Sequence, residues 1–455
     1  MTAIHHMSAT ALSEVIASGS ISCVETMQAF LTQIEATNPA VNALINLDPP
    51  EYCLALAAKA DEALRAGLRK GWLHGMPIAI KDLAGAADFR TTFGSRIFES
   101  FIATEDDPHV ARIRAAGAII IGKTNVPEWG LGGHTQNSLH GLTRNALDPR
   151  LTAGGSSGGA ATALASHMLP LADGSDMMGS LRTPAAFQSI VGFRPTPGRV
   201  PAPAELDPFE LKLASLGPMA RNVADTSALF ETMCGSQIDR SSIDNHGIRI
   251  GWLGNAGGYW PTTSGLVDHC ERALKGLSTA GFTVEHSAPP PLLRDLWQCW
   301  ITLRQHALSS ARPIYDNPEH RQLMGPQWQW ELKQGMGLTA SDIAGAKSIR
   351  HDWIESLQAL FTQYDVIAAP ACQVYPFNAE NGPPKRIESA AMDTYHRWLE
   401  VSLPASLGSL PVINLPLAAP SAGQATGIQF MAPAGKDETL LQFAAAAEPI
   451  LLGEA

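Results

Sequence analysis

The sequence predicts an α/β fold for this chain of 455 residues. Short apolar, β-branched runs alternate along it with longer segments in which apolar residues recur at helical spacing. Hydrophobic residues make up 45% of the chain and charged residues 16%, a balance that supports a large buried core and argues against disorder. Because no low-complexity linker or internal repeat divides the sequence, we expect a single domain over residues 1–455.

The predicted elements alternate in chain order. Ser8 can cap an amphipathic helix over 8–36, and the apolar run 76–80 predicts a short strand that ends next to Lys81. The other predicted elements are helices over 51–66, 110–116, 158–166 and 265–280, and strands over 118–121, 248–253 and 282–284. The domain then divides into N-terminal helices at about 1–70, a core at about 71–230, and a helical segment at about 289–363 that is rich in tryptophan. We expect most of these tryptophans to pack in the core.

Composition and charge exclude several function classes. The formal net charge of −11 argues against nucleic acid or an anionic membrane as a partner. The six cysteines are far apart and form no C-x-x-C pair, which indicates reduced thiols. The sequence shows no signal-peptide pattern and no apolar run long enough for a membrane span. We therefore expect a cytoplasmic protein.

Two serines embedded in glycine, and one lysine, are the candidate chemistry. Ser156 lies in G-G-S-S-G-G and Ser180 in D-M-M-G-S, 24 residues further on. Lys81 follows the apolar run M-P-I-A-I. Glycines around a serine let backbone groups approach a reacting atom closely. These residues together suggest a nucleophile, a proton relay and a base.

The chain resembles the amidase-signature family, hydrolases that use a Ser-Ser-Lys catalytic set. The resemblance implies a mixed central β-sheet covered by helices on both faces, hydrolysis of a small-molecule amide, and no cofactor or metal; it also allows a homodimer. It is weakest at 238–363. It rests on the Gly-Ser block with its serine spacing, and on G-M-P-I-A-I-K-D (75–82), G-K-T-N-V-P-E (122–128), G-P-M-A-R-N-V-A-D (217–225), Y-D-V-I-A-A-P-A (364–371) and G-I-Q-F (427–430).

The resemblance assigns a role to each of these three side chains. Ser180 is expected to be the nucleophile, although a serine there could also cap a helix that begins at Leu181. Ser156 is expected to relay the proton and to follow a cis peptide bond. Lys81 is expected to be the general base, which requires burial, because an ordinary lysine has a pKa of about 10.4 and stays protonated.

The residues around the nucleophile are expected to shape the site. Backbone N–H groups of Met177, Met178 and Gly179 are expected to form the oxyanion hole. Methionine at 178 departs from the family, which usually has glycine there. Any residue except proline supplies an N–H, but a positive φ would strain methionine. We also expect the two methionines to narrow the acyl pocket. The resemblance implies that Trp129 and Gly130 line the substrate pocket. It also implies that the segment at about 289–363 borders this pocket, so one or two of its tryptophans are expected to line it.

Two more charged residues flank the nucleophile. We expect Asp176 and Arg182 to hold the loop by charge-assisted hydrogen bonds rather than to act on the substrate. The two methionines and the aromatic-rich segment favour an apolar or aryl acyl group, but the sequence does not identify the amide.

Two motif matches point elsewhere and are rejected on physical grounds. G-A-I-I-I-G-K-T (117–124) fits a phosphate-binding pattern, but its apolar, β-prone centre predicts a strand rather than a cradle of N–H groups. G-G-S-S-G (154–158) fits a nucleophile elbow, yet no buried strand precedes it. The sequence has no H-E-x-x-H or Cys/His cluster, so no metal is implied.

Two alternatives to an independent amide hydrolase remain open. One is the amidase subunit of a glutamine-dependent tRNA amidotransferase, which would keep the Ser-Ser-Lys set. Met178 and the unfamiliar segment 289–363 weigh against it. The other is a non-catalytic binding scaffold on the same fold, against which the presence of Lys81, Ser156 and Ser180 together argues.

Overall fold

The computed structural model describes residues 3–207, 209–419 and 421–453. In this part of the chain helices and strands alternate as the sequence predicts. The helices α1–α15 span Ala9–Ala17, Cys23–Val41, Pro50–Arg65, Pro108–Ala115, Gly158–Ala165, Arg182–Phe187, Val223–Cys234, Leu266–Thr279, Leu296–Leu308, Arg312–Asp316, Pro318–Leu323, Pro326–Met336, Ala340–Leu360, Leu403–Leu407 and Asp437–Leu451. The strands β1–β15 span Leu44–Ile45, Pro77–Lys81, Ile119–Thr124, Gln136–Asn137, Gly141–Leu142, Ala172–Asp176, Val191–Arg194, Ser215–Ala220, Arg249–Trp252, Thr283–His286, Val366–Pro370, Arg386–Ile387, Ala390–Ala391, Val412–Pro416 and Gly427–Met431.

The central sheet is mixed and has the strand order β10-β9-β11-β15-β14-β7-β8-β6. Strand β9 pairs in parallel with β10 and β11, whereas the other pairs are antiparallel. Every residue of β14 and β15 is buried, as expected for strands covered on both faces. The predicted α/β fold with a mixed sheet and surrounding helices is confirmed.

A second sheet of three strands carries Lys81. Its order is β1-β3-β2, and β2 and β3 run parallel. The two sheets are joined where the backbone N–H of Lys81 donates to Oδ1 of Asp173 on β6, at 2.8 Å. This bond holds the end of β2 against the edge of the large sheet, so Lys81 comes close to the loop that follows β6.

Most predicted elements form near their predicted bounds, but the prediction of one helix over 8–36 is wrong. The expected helix over 8–36 is interrupted after α1, because Gly19 adopts a left-handed φ of 72°. Helix α2 then starts afresh from Ser22, which forms a capping box with Glu25. The predicted strand over 118–121 also extends further, to Thr124.

The segment 289–363 is helical, as predicted, and supplies much of a second apolar core. Trp297, Trp300 and Trp353 pack there with Trp398. Trp328 instead belongs to a smaller cluster with Leu131 and Tyr315. This smaller cluster borders the cavity described below. Among the described residues, no helix has both the length and the apolar character needed to cross a bilayer.

Candidate active site

Lys81 is the last residue of β2 and is 1% exposed. Its Nζ donates to three serine hydroxyls: Ser156 Oγ at 2.9 Å, Ser157 Oγ at 2.7 Å and Ser175 Oγ at 2.9 Å. It also lies 3.3 Å from the carbonyl oxygen of Ser175. The structure therefore brings Lys81 and Ser156 together, and it adds Ser157 and Ser175, which sequence reasoning did not assign to the site.

Burial changes the acidity of this lysine. Removal from water lowers the pKa of the Lys81 ammonium to about 7, although the charges of Asp173 and Asp176 act in the opposite direction. An amine with this pKa is about half neutral at pH 7 and largely neutral about one pH unit higher. Lys81 can therefore accept a proton under conditions in which a surface lysine cannot.

Ser156 lies in a loop that packs tightly against neighbouring backbone. The Gly155–Ser156 peptide bond is cis. Gly154 has a φ of 77°, and a Cβ there would lie 2.8 Å from Cα of Pro184. A Cβ on Gly155 would lie 3.0 Å from the backbone of Gly133. Neighbouring backbone therefore leaves no room for a side chain at the two positions before Ser156. The loop then leads directly into α5.

Ser180 lies between β6 and α6, where its carbonyl oxygen accepts from the N–H of Ser157 at 3.2 Å. The suggestion that Ser180 caps a helix beginning at Leu181 is wrong. Helix α6 begins at Arg182, and Leu181 occupies the N-cap position without a side-chain cap. The Ser180 hydroxyl is therefore not used by the helix and borders the same cavity as Ser156.

Asp176 fixes the loop before Ser180. It is fully buried, and Arg182 binds its carboxylate in bidentate fashion at 2.8 and 2.9 Å. Burial raises the pKa of this carboxyl, but Arg182 and Arg194 outweigh that effect and hold the pKa well below its usual range. The structure confirms that Asp176 and Arg182 hold the loop.

Arg182 also ties this loop to the C-terminal strands. Its Nη1 donates to Oε1 of Gln429 at 2.7 Å and to the carbonyl oxygen of Ser402 at 3.0 Å. Gln429 is on β15, in the G-I-Q-F motif singled out from the sequence. This motif thus helps to fix the loop that carries Ser180.

The three predicted oxyanion donors differ in their hydrogen bonding. The Gly179 N–H donates to Oδ1 of Asp176 at 2.8 Å and is already engaged. Within the described residues, no acceptor binds the N–H of Met177 or Met178. In this loop Gly179 has a positive φ of 85°. Met178 has a negative φ, so its side chain causes no backbone strain.

Ser156 and Ser180 open into a cavity of about 200 Å³. Met177, Met178, Trp129 and Gly130 line this cavity. The segment 289–363 and a loop close to the C-terminal strands complete the lining, with side chains that include Arg304, Leu308, Trp328 and His396. Trp328 is thus the tryptophan of that segment that reaches the cavity.

The Trp129 ring and the neighbouring Gly130 shape the cavity close to Ser156. Both have positive φ values, 53° and 69°. The Trp129 ring stacks on Phe93 at 4.9 Å between centroids and contacts Trp328 at 4.6 Å. A Cβ on Gly130 would lie 2.8 Å from Cδ1 of Leu83 and 3.4 Å from Oγ of Ser156. Glycine at this position therefore leaves room beside Ser156.

A second apolar cavity, of about 520 Å³, lies against Lys81. It shares four residues with the first cavity: Leu83, Trp129, Ser175 and Leu206. Its other lining residues include three phenylalanines and three carboxylates: Phe93, Phe98, Phe101, Glu105, Asp107 and Asp173. The lysine thus lies between a small cavity lined by both serines and a larger one.

Sequence reasoning missed Arg304 and His396. Arg304 lies on α9 in the order Trp297, Trp300, Arg304, which has the spacing of one buried helix face. An arginine on the apolar face of a predicted helix was the signal that could have identified Arg304 as a candidate site residue. His396 has no comparable local pattern, since it comes from a loop.

The rejected phosphate-binding motif forms a strand, as predicted. Lys123 lies on β3, and its buried Nζ donates to Thr91 Oγ1 at 3.1 Å and to the carbonyl oxygen of Ala84. The described residues contain no group of side chains suited to hold a metal ion.

Comparison with known proteins identifies related enzymes. Residues 25–441 match the family model described as Amidase. The acylamidase of Rhodococcus erythropolis is 30% identical, over 98% of this chain and 96% of its own. A glutamyl-tRNA(Gln) amidotransferase subunit from Thermus thermophilus is 31% identical, over 95% of each chain. A crystal structure of an amidase superposes with a TM-score of 0.88 and 27% identity, over 98% of this chain and 100% of that one.

Replacement of Asp176 tests whether this carboxylate holds the loop. In Asp176→Asn, two buried arginines lose their counter-charge, so we expect the free energy of unfolding to fall by about 3–5 kcal/mol in urea denaturation. The matched control is Asp148→Asn, which removes a surface pair with Arg150 and should leave stability unchanged. Equal stability losses in the two variants would contradict the role given to Asp176.

Proposed function

This chain belongs to the amidase family and is an amidase, and we propose that it hydrolyses small carboxylic amides through an acyl-enzyme on Ser180. The observation that carries the proposal is the contact of a buried, weakly basic Lys81 with Ser156 beside the Ser180 cavity. A nucleophile, a relay and a base are then available within one site.

Acylation starts with attack of Ser180 Oγ on the amide carbonyl carbon. Ser156 takes the proton of Ser180 and passes its own proton to the neutral amine of Lys81. The free N–H groups of Met177 and Met178 donate to the developing oxyanion. Gly179 supplies the turn that exposes them, and its own N–H remains bound to Asp176.

Collapse of the tetrahedral intermediate breaks the C–N bond and returns the proton. Lys81 reprotonates Ser156, which protonates the departing nitrogen, so the products are the acyl-enzyme and the amine or ammonia. Water then attacks the ester carbonyl, and the same relay removes its proton and restores the Ser180 hydroxyl. Each cycle therefore consumes one amide and one water.

The cavity favours a small, largely apolar or aryl acyl group. Its walls include Met177, Met178, Trp129 and Trp328, and its volume is about 200 Å³. The amidotransferase subunit is the alternative, and its substrate would be glutamine, which carries an ammonium and a carboxylate. Among the described residues of the wall, Arg304 is the charged side chain, and Glu331 already neutralises it. This arrangement favours a neutral substrate.

The neighbouring serines provide a matched pair of variants. Both contact Lys81, but Ser156 lines the cavity, so Ser156→Ala should lower kcat/KM at least about 10³-fold, while Ser157→Ala should cost no more than about tenfold. The measurement is steady-state amide hydrolysis by folded variants with unchanged Tm. A loss of kcat/KM in Ser157→Ala as large as in Ser156→Ala would contradict the assignment of the relay to Ser156.

Covalent labelling tests the nucleophile independently of any substrate. A fluorophosphonate should label Ser180 in the wild-type protein, and peptide mapping by mass spectrometry should locate the adduct there. Labelling should be lost in Ser180→Ala and strongly slowed in Lys81→Met, because the base that activates the serine is absent. An adduct on another serine, or unchanged labelling in Lys81→Met, would exclude this mechanism and favour the non-catalytic scaffold or a different site.

The pKa of Lys81 sets the pH dependence of catalysis. The base acts only when it is unprotonated, so kcat/KM should rise tenfold per pH unit below about 7 and level off above it. Asp173 raises the pKa of Lys81, so Asp173→Asn should move this limb to lower pH. A profile that is flat through about pH 7, or a shift to higher pH in Asp173→Asn, would refute the assignment of Lys81 as the base.

A further inference from the structure

Four polar side chains form a cluster that reaches the Ser180 cavity through two of its members. We refer to Arg304, Glu331, Tyr395 and His396 as the Arg304 cluster. Arg304 lies on α9, Glu331 on α12, and the other two in the loop before the 3₁₀ helix Arg397–Ser402. Arg304 and His396 border the cavity itself.

On the side away from the cavity, three hydrogen bonds join the cluster, although Oε2 of Glu331 has no hydrogen-bond partner among the described residues. Arg304 Nε donates to Oε1 of Glu331 at 2.7 Å, and its Nη2 donates to the hydroxyl of Tyr395 at 2.9 Å. The Tyr395 hydroxyl in turn donates to Oε1 of Glu331 at 2.8 Å. The guanidinium and the carboxylate neutralise each other, so the cluster carries no net charge when His396 is neutral.

The side toward the cavity is not satisfied. Nη1 of Arg304 donates only to the thioether sulfur of Met177, at 3.9 Å, within the described residues. His396 is 1% exposed, and neither of its ring nitrogens has a hydrogen-bond partner among the described residues. Buried polar groups are normally paired, so an unpaired set at a cavity wall requires an explanation. A bound ligand would supply the missing partner.

We propose that the Arg304 cluster is an acyl-group subsite that binds a neutral hydrogen-bond-accepting oxygen, such as a second carbonyl, on the substrate. Nη1 of Arg304 and one ring N–H of His396 would donate to this oxygen. The inference rests on the proposed function, because it names the substrate class of the same site. The preferred substrate is then an amide whose acyl chain carries a second, uncharged polar group.

The electrostatics of the cluster select a neutral group. Burial, together with the charges of Arg304 and Arg397, keeps the pKa of His396 well below its usual range, so its ring is neutral. A carboxylate would bring a negative charge that nothing compensates, because Glu331 already pairs with Arg304. A purely apolar acyl chain would leave the donors of Arg304 and His396 unpaired, so the site should bind such a chain less tightly.

Contacts also place the subsite on the acyl side of the reacting bond. Nη1 of Arg304 contacts the side-chain sulfur of Met177, and the backbone N–H of the same residue is a proposed oxyanion donor. The departing nitrogen instead receives its proton from Ser156, which lies toward Lys81. The oxygen bound by the cluster therefore belongs to the acyl chain and not to the leaving amine.

The test measures binding and turnover with matched amides. Hexanamide is the apolar reference, the 3-, 4- and 5-oxohexanamides place a ketone along the same chain, and glutaramate carries a terminal carboxylate. Binding is measured by calorimetry on Ser180→Ala, and kcat/KM on the protein with Ser180 intact. We expect at least one ketoamide to bind about tenfold or more tightly than hexanamide and glutaramate, with a matching gain in kcat/KM.

Variants of the cluster should remove this preference. The double variant Arg304→Met/Glu331→Gln deletes the guanidinium without stranding a buried carboxylate, and His396→Phe keeps a ring but deletes both nitrogens. In each, binding of the preferred ketoamide should fall to within about twofold of hexanamide, whose own binding should stay nearly unchanged. Arg312→Met, at an exposed arginine just after α9, is the control and should retain the preference.

Each outcome has a defined meaning. Equal binding of ketoamides and hexanamide, tightest binding of glutaramate, or a preference that survives in both cluster variants would overturn the subsite. Failure of the proposed function looks different, because no amide would then be turned over and Ser180 would not be labelled. The binding measurement on Ser180→Ala does not depend on that activity.

Discussion

The burial of the Lys81 amine among serine hydroxyls is the constraint on which the rest of the site depends. Burial removes water from the Lys81 amine and lowers its pKa, and the hydroxyls of Ser156, Ser157 and Ser175 remain as its hydrogen-bond partners at 2.7–2.9 Å. Three separate chain segments must therefore meet at one nitrogen: the end of β2, the loop before α5 and strand β6. The bond from the Lys81 backbone to Asp173 fixes the first of these segments against the third.

The charged side chains of the site are paired with one another, and most of them lie outside the cavity. Asp176 is fully buried and remains a carboxylate because Arg182 and Arg194 surround it, and it holds the loop before Ser180 in place. That frame lies behind the cavity, so the N–H groups of Met177 and Met178 are oriented before a substrate arrives. Arg304, which contacts the Met177 side chain in the cavity wall, is neutralised by Glu331, and its Nη1 has only a sulfur as partner among the described residues. The subsite that we propose for a neutral, polar acyl group rests on this arrangement of charge.

The parts of this structure that were predictable from sequence are those set by local pattern. The apolar run before Lys81 is a strand, and the Gly-Ser block is a loop that opens a helix. The interruption near Gly19 was missed because helical spacing continues on both sides of it, although Gly19 and the S-x-x-E pattern from Ser22 to Glu25 mark the break in the sequence. The Arg304 cluster could not be derived, since it joins residues from α9, α12 and a loop near 396 that only tertiary packing brings together.

The central claim is that burial makes Lys81 a base near neutral pH. Its direct test is the pKa of the Lys81 amine, followed by NMR on protein carrying ¹³C-labelled lysine, with the resonance assigned by its loss in Lys81→Arg. The account predicts titration at about 7. Titration close to the ordinary lysine value of 10.5 would mean that the amine stays protonated, and the relay through Ser156 to Ser180 would then be excluded.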